Sequence, residues 1–116
     1  MPLCNIEREI LGAAVTYRIG GKFEGACAWE LSRRLLAEPL ADVTFDFSQV
    51  TEFVDYGVAV MANAILSATG KQVRLAGLRW HHTRLFRYFG YDPDQPADQR
   101  AQPTLDTAAL LALEIR

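Results

Sequence analysis

The run Val43-Thr44-Phe45-Asp46-Phe47 lies between two stretches with helical spacing, and that placement narrows the possible folds more than any other feature. It is short, mostly apolar and rich in β-branched and aromatic residues, which suits a strand in the buried part of a sheet. On its N-terminal side, Glu24 to Glu38 reads as a helix. Trp29, Leu31, Leu35 and Leu36 are among its apolar positions, Arg33-Arg34 turn to water, and Pro39 stands just past its end. On the other side a polar turn leads to Tyr56–Thr69, where Val58, Met61, Ala62, Ile65 and Ala68 recur at helical spacing before a stop at Gly70.

The alternation continues in both directions. Ile6, Arg8 and Ile10 alternate with Glu7 and Glu9, Gly12 marks a turn, and Val15, Tyr17 and Ile19 alternate with Thr16 and Arg18. Period-two patterning around a breaker predicts a hairpin, with Gly20-Gly21 ending its second strand. Val73 to Leu78 is another short strand. Arg79 to Phe89 is a third helix, with Leu78, Leu85, Phe86 and Phe89 as its apolar stripe and Gly90 at its end. Tyr91 to Pro103 holds three prolines and reads as a loop, after which Thr104 caps a last helix through Ala108, Ala109 and Leu113. The order β-β-α-β-α-β-α-loop-α predicts a single α/β domain over residues 1–116. An N-terminal hairpin leads into a mostly parallel sheet of four or five strands, joined by right-handed crossovers to about four helices.

Composition removes several function classes. Half of the 116 residues are hydrophobic and 22% are charged, which is ordinary for a globular chain. Twelve Lys and Arg against fourteen Asp and Glu give a net charge of −2, without the basic excess that nucleic-acid binding requires. The stretch Arg79-Trp80-His81-His82-Thr83-Arg84-Leu85-Phe86-Arg87-Tyr88 mixes bases and aromatics, but its apolar stripe belongs to a core face. Trp80, Arg84 and Arg87 are left as a modest exposed stripe. Cys4 and Cys27 are too few for a disulfide framework and lack a metal-binding spacing, so both read as small buried apolar residues. No signal peptide and no apolar stretch of the ~20 residues needed for a membrane span is visible, which predicts a soluble, cytoplasmic protein.

Catalytic motifs are absent. Neighbours His81 and His82 would point about 100° apart on a helix and cannot jointly grip one ion. There is no H-x-x-x-H, C-x-x-C, G-x-S-x-G or phosphate-binding glycine fingerprint. The reading is therefore of a non-enzymatic protein with no cofactor and no metal.

Val43 to Ile65 is the informative stretch. A strand, a polar turn and a helix beginning beside Asp55-Tyr56-Gly57 place free backbone N–H groups and a partial positive charge at one spot. Asp55 is placed to cap that helix.

Four segments in order resemble the STAS domain, the module shared by sulfate-transporter tails and anti-sigma factor antagonists. Gly21-Lys22-Phe23-Glu24 is similar to the family's Gly-x-Leu-Asp, and Val43 to Val50 to its strand ending Asp-Leu-Ser-Gly-Val. Phe53-Val54-Asp55-Tyr56-Gly57-Val58-Ala59-Val60-Met61 is similar to Ile-Asp-Ser-Ser-Gly-Leu-x-x-Leu, and Gly70 to Gly77 to the next turn, strand and glycine.

Aligned on Gly57 without a gap, the family's phosphorylatable serine falls on Asp55 and its second serine on Tyr56. A one-residue gap makes Asp55 the family's aspartate and still supplies no serine. An aspartate carries about one negative charge where phosphoserine carries nearly two. Either the domain sits permanently in a phosphorylated-like state, or its partner binding is not switched this way.

The resemblance implies an anti-sigma factor antagonist that binds a protein such as an anti-sigma factor kinase. The alternative is a soluble subunit that regulates or stabilises a membrane transporter. The expected contact surface comprises Glu24, Asp46, Ser48, Thr51, Asp55, Tyr56 and Gly57, with no nucleic acid and no membrane insertion.

Overall fold

Alternate residues of β2 (Ala14–Phe23) set the layering: Val15, Tyr17 and Ile19 are buried, while Arg18 between them is exposed. The same face of the sheet continues through Val43, Phe45 and Phe47 of β3 (Asp42–Phe53) and Val73 of β4 (Gln72–Ala76). In the computed structural model, which describes residues 4–94, this face is covered by α1 (Gly25–Ala37), α2 (Asp55–Ser67) and α3 (Trp80–Tyr88). Leu31, Leu35, Met61, Ile65 and Phe86 come down from the helices to complete the core. Thr16, Arg18, Thr44, Asp46 and Arg74 alternate onto the opposite face, which carries no helix among the described residues.

The strands lie in the order β1-β2-β3-β4, with β1 (Cys4–Leu11) at the outer edge. β1 pairs antiparallel with β2, and β2–β3 and β3–β4 pair parallel, so this is a mixed sheet of four strands. Three helices are described; the helix expected from Thr104 lies outside the described residues, as does the loop beyond residue 94.

Several local expectations are corrected. Gly20-Gly21 does not end β2. The strand runs on to Phe23, and the register shifts at Arg18/Gly20 and Gly21/Lys22 each take up an extra residue on β3, so both glycines stay within the ladder. Nor does a polar turn follow Phe47, because β3 continues to Phe53, paired with β2 up to Phe23↔Phe53. Its second half is polar because Ser48, Gln49, Thr51 and Glu52 are exposed, not because the strand has stopped. On α1, Trp29 and Leu36 are 58% and 76% exposed, and the buried stripe is Cys27, Ala28, Leu31, Ser32 and Leu35. Cys4 and Cys27 are not simply apolar fillers, since they form a disulfide between β1 and the first turn of α1. Sequence separation carries no signal for such a bond. The antiparallel register that puts Cys4 beside Gly21 brings it within reach.

A polar cluster fastens the other end of β1. The carboxylate of Glu38 accepts hydrogen bonds from Arg8 Nε at 2.8 Å and Nη2 at 2.9 Å, from Tyr17 Oη at 2.5 Å and from the Leu40 backbone N–H at 3.0 Å. Lys71 Nζ donates to the carbonyls of Glu38 and Leu40. Glu38 is buried, yet its charge is fully partnered, which is the condition for burying a carboxylate at all.

Candidate functional site

β2 and β3 end side by side, and each feeds a helix. The Phe23↔Phe53 pairing closes the parallel ladder, and the Val54 N–H donates to the Phe23 carbonyl at 2.9 Å. The rings of Phe23 and Phe53 meet edge-on at 5.7 Å, and Phe23 meets Phe47 at 5.1 Å. This aromatic plug fixes where α1 and α2 begin, so their N-termini emerge together beyond the carboxyl ends of two parallel strands. In open α/β sheets, binding sites concentrate at that end of the strands.

Two glycines let the helix starts touch. A Cβ at Gly57 would stand 2.9 Å from the Glu24 carbonyl carbon and 3.0 Å from its Cα, so only glycine allows this approach of α2 to the entry of α1. Across the same contact the ring of Tyr56 occupies the space a Cβ on Gly25 would need, with Cδ2 2.7 Å from that point. Tyr56 is nevertheless 60% exposed. The contact therefore holds the ring in place while leaving much of it to solvent.

Asp55 is the first residue of α2 and is exposed. The capping role expected of it is not seen: the N-cap is Val54, and no side chain caps the helix. The N-cap of α1 is Glu24, likewise without a side-chain cap bond, and its carboxylate lies 3.7 Å from Lys22 Nζ. Two helix starts with uncapped N–H groups thus stand together, each with one acidic side chain and a partial positive end. That arrangement suits recognition of charged groups from outside.

The remaining expected residues are placed differently. Thr51 is exposed on the last stretch of β3 leading into Asp55. Asp46 lies farther back on β3, on the sheet face without helices, where its Oδ1 accepts the Ser48 N–H at 2.9 Å. Gly77, at φ +76°, backs onto Ser48 there, with a Cβ at that position only 2.9 Å from Asp46 Oδ1. Asp46 and Ser48 thus build the β3–β4 margin, apart from Glu24, Asp55, Tyr56 and Gly57.

Sequence reasoning missed three features. His82 stacks on Phe53 with ring centroids 3.9 Å apart, which brings α3 to the back of the same plug. Burial, with further contributions from His81 and Arg79, pushes its pKa below the usual histidine value. A hollow of about 420 Å³ lies over Gly20 and Gly21, bordered by Asn5, Glu7, Arg18 and Gln49, away from the start of α2. The exposure of Trp29 was also hidden; it lies one turn along α1 from Gly25 and faces solvent. Among the described residues no group of three or more His, Cys, Asp or Glu could hold a metal ion, and no helix is long and apolar enough to cross a membrane.

No protein-family model and no curated protein matches the sequence. Solved structures do. The anti-sigma factor antagonist SpoIIAA in its unphosphorylated form matches 72% of this chain and 83% of its own, with a TM-score of 0.57 and 13% identity. A STAS-domain antisigma-factor antagonist from Rhodobacter sphaeroides matches 78% of this chain and 95% of its own, with a TM-score of 0.54 and 20% identity. At these identities the likeness establishes the fold, and the fold is that of a STAS domain.

Proposed function

We propose that this STAS-fold domain is a non-enzymatic interaction module of the anti-sigma factor antagonist type, binding a protein such as an anti-sigma kinase through the start of α2. The observation that carries the reading is the exposed Asp55 at the first position of α2, beside Tyr56, whose ring lies on Gly25 at the entry of α1. SpoIIAA and the Rhodobacter sphaeroides domain, which share the fold, are both anti-sigma factor antagonists.

In this reading Asp55 stands in place of a phosphorylatable serine and supplies a fixed negative charge. Tyr56 gives an anchored aromatic surface of the kind that dominates binding energy at interfaces. Glu24 and Thr51 border the contact, and Gly57 keeps the two helix starts together. A partner with a basic patch would be steered to this end of the sheet.

The test is affinity capture of the tagged protein from its native lysate, divided into soluble and detergent-extracted membrane fractions, with Asp55→Lys as control. Recovery of an ATP-binding kinase that the control loses supports the reading. Recovery of transporter subunits from the membrane fraction instead assigns the domain to a transporter assembly. Partners recovered equally by both proteins would place the contact elsewhere.

A further inference from the structure

The Cys4–Cys27 disulfide joins two parts of the molecule that little else holds together. β1 is an edge strand, and along it only Cys4 and Ile6 pack against the core, while residues 7–11 are exposed. Its far end is fastened by Arg8 on Glu38; its near end is fastened by the disulfide. The two sulfurs differ in surroundings. Cys4 is half-buried on the sheet edge, whereas Cys27 is 4% exposed and is the third residue of α1.

That difference gives the bond a direction of attack. An incoming thiolate reaches Cys4 from the edge. Cys27 is released in the first turn of a helix, where free N–H groups favour a thiolate and so a faster leaving group. The bond also stands next to the candidate partner surface. Gly25, under the ring of Tyr56, and Glu24, against Gly57, lie two and three residues before Cys27 in the chain.

We propose that Cys4–Cys27 is a reversible redox site whose oxidised form clamps β1 to the first turn of α1 and thereby steadies the seat of α2. A small dithiol supplies the electrons. Its thiolate attacks Cys4 Sγ, a mixed disulfide forms, and the Cys4–Cys27 bond breaks with its electron pair leaving on Cys27 Sγ. The second thiol of the reductant then displaces Cys4. Two electrons have moved, the reductant has become a cyclic disulfide, and its two thiol protons end on the two cysteines. Any consequence for partner binding rests on the proposed function; the redox chemistry and the coupling to α2 do not.

The experiment uses the whole protein without a partner. It is treated with dithiothreitol in the absence of denaturant, trapped with iodoacetamide, weighed, and compared with the oxidised form by amide hydrogen exchange. Two added alkyl groups are expected, and none when oxidised dithiothreitol is supplied before the trap. Exchange at residues 4–7, 24–28 and 55–58 should quicken about tenfold on reduction, with residues 43–47 unchanged. Cys4→Ser should exchange like the reduced protein. Alkylation only after unfolding would overturn reversibility, and equal exchange at 55–58 in both redox states or in Cys4→Ser would overturn the coupling. Either failure leaves the partner surface to be judged by its own test.

Discussion

The backbone of Glu24 and the Cα of Gly57 lie so close that a Cβ on residue 57 would be 2.9 Å from the Glu24 carbonyl carbon. This contact makes the starts of α1 and α2 a single surface. Glycine inside a helix costs about 1 kcal/mol relative to alanine, so its presence here signals a packing requirement and not a helical one.

Gly57→Ala tests that requirement. Propensity alone would make the variant more stable. The backbone clash predicts the opposite, a loss of about 2 kcal/mol as α2 is pushed off Glu24. Urea unfolding decides between the two signs, and Gly70→Ala, which meets nothing nearby but has φ +77°, is a control for backbone strain alone.

Glu38 governs acid stability. Hydrogen bonds from Arg8, then from Tyr17 and the Leu40 N–H, outweigh burial and hold its carboxyl at about 2, below the ordinary 4.5. The folded pKa is depressed, so the unfolded chain binds the proton more readily. The stabilisation is complete above pH 4.5 and is lost as pH falls from there towards about 2. Glu38→Gln should cost about 2 kcal/mol at neutral pH, because the hydrogen bonds from Arg8 and Tyr17 lose their charged acceptor, and should flatten this part of the stability profile. Thermal melts between pH 2 and pH 5 would show both effects.

His82 gives a second slope with the same sign. Burial against Phe53, reinforced by His81 and Arg79, lowers its pKa from the ordinary 6.5. Protonation is thus easier in the unfolded chain, and stability contributed above pH 6.5 declines as pH falls below it. His82→Gln keeps a hydrogen-bond acceptor but cannot titrate, so its melting temperature should vary less than the wild type's from pH 7 to pH 5.5.

The sheet and the order of its elements were legible in the sequence because they depend on periodicity. Val15/Tyr17/Ile19 and Val58/Met61/Ile65 mark buried faces, whatever packs on them. Where strands stop was less legible. Gly20-Gly21 and the polar stretch after Phe47 look like breaks, yet parallel pairing with a neighbour carries both strands through. Contacts between distant residues were not legible at all. The Cys4–Cys27 bond, the Tyr56–Gly25 contact and the placing of Asp46 on the other face all follow from register and strand order. Trp29 and Leu36 fit a helical apolar pattern but lie beside the buried stripe instead of within it.

The central claim is that Asp55 meets the partner. Its most direct test is calorimetric titration of the kinase recovered by capture with the wild type, Asp55→Ser and Asp55→Lys, at two salt concentrations. The account predicts that Asp55→Lys weakens binding at least about tenfold, roughly 1.4 kcal/mol. It also predicts that Asp55→Ser weakens binding less and reduces its salt dependence. Equal affinity and equal salt dependence for all three proteins would contradict it.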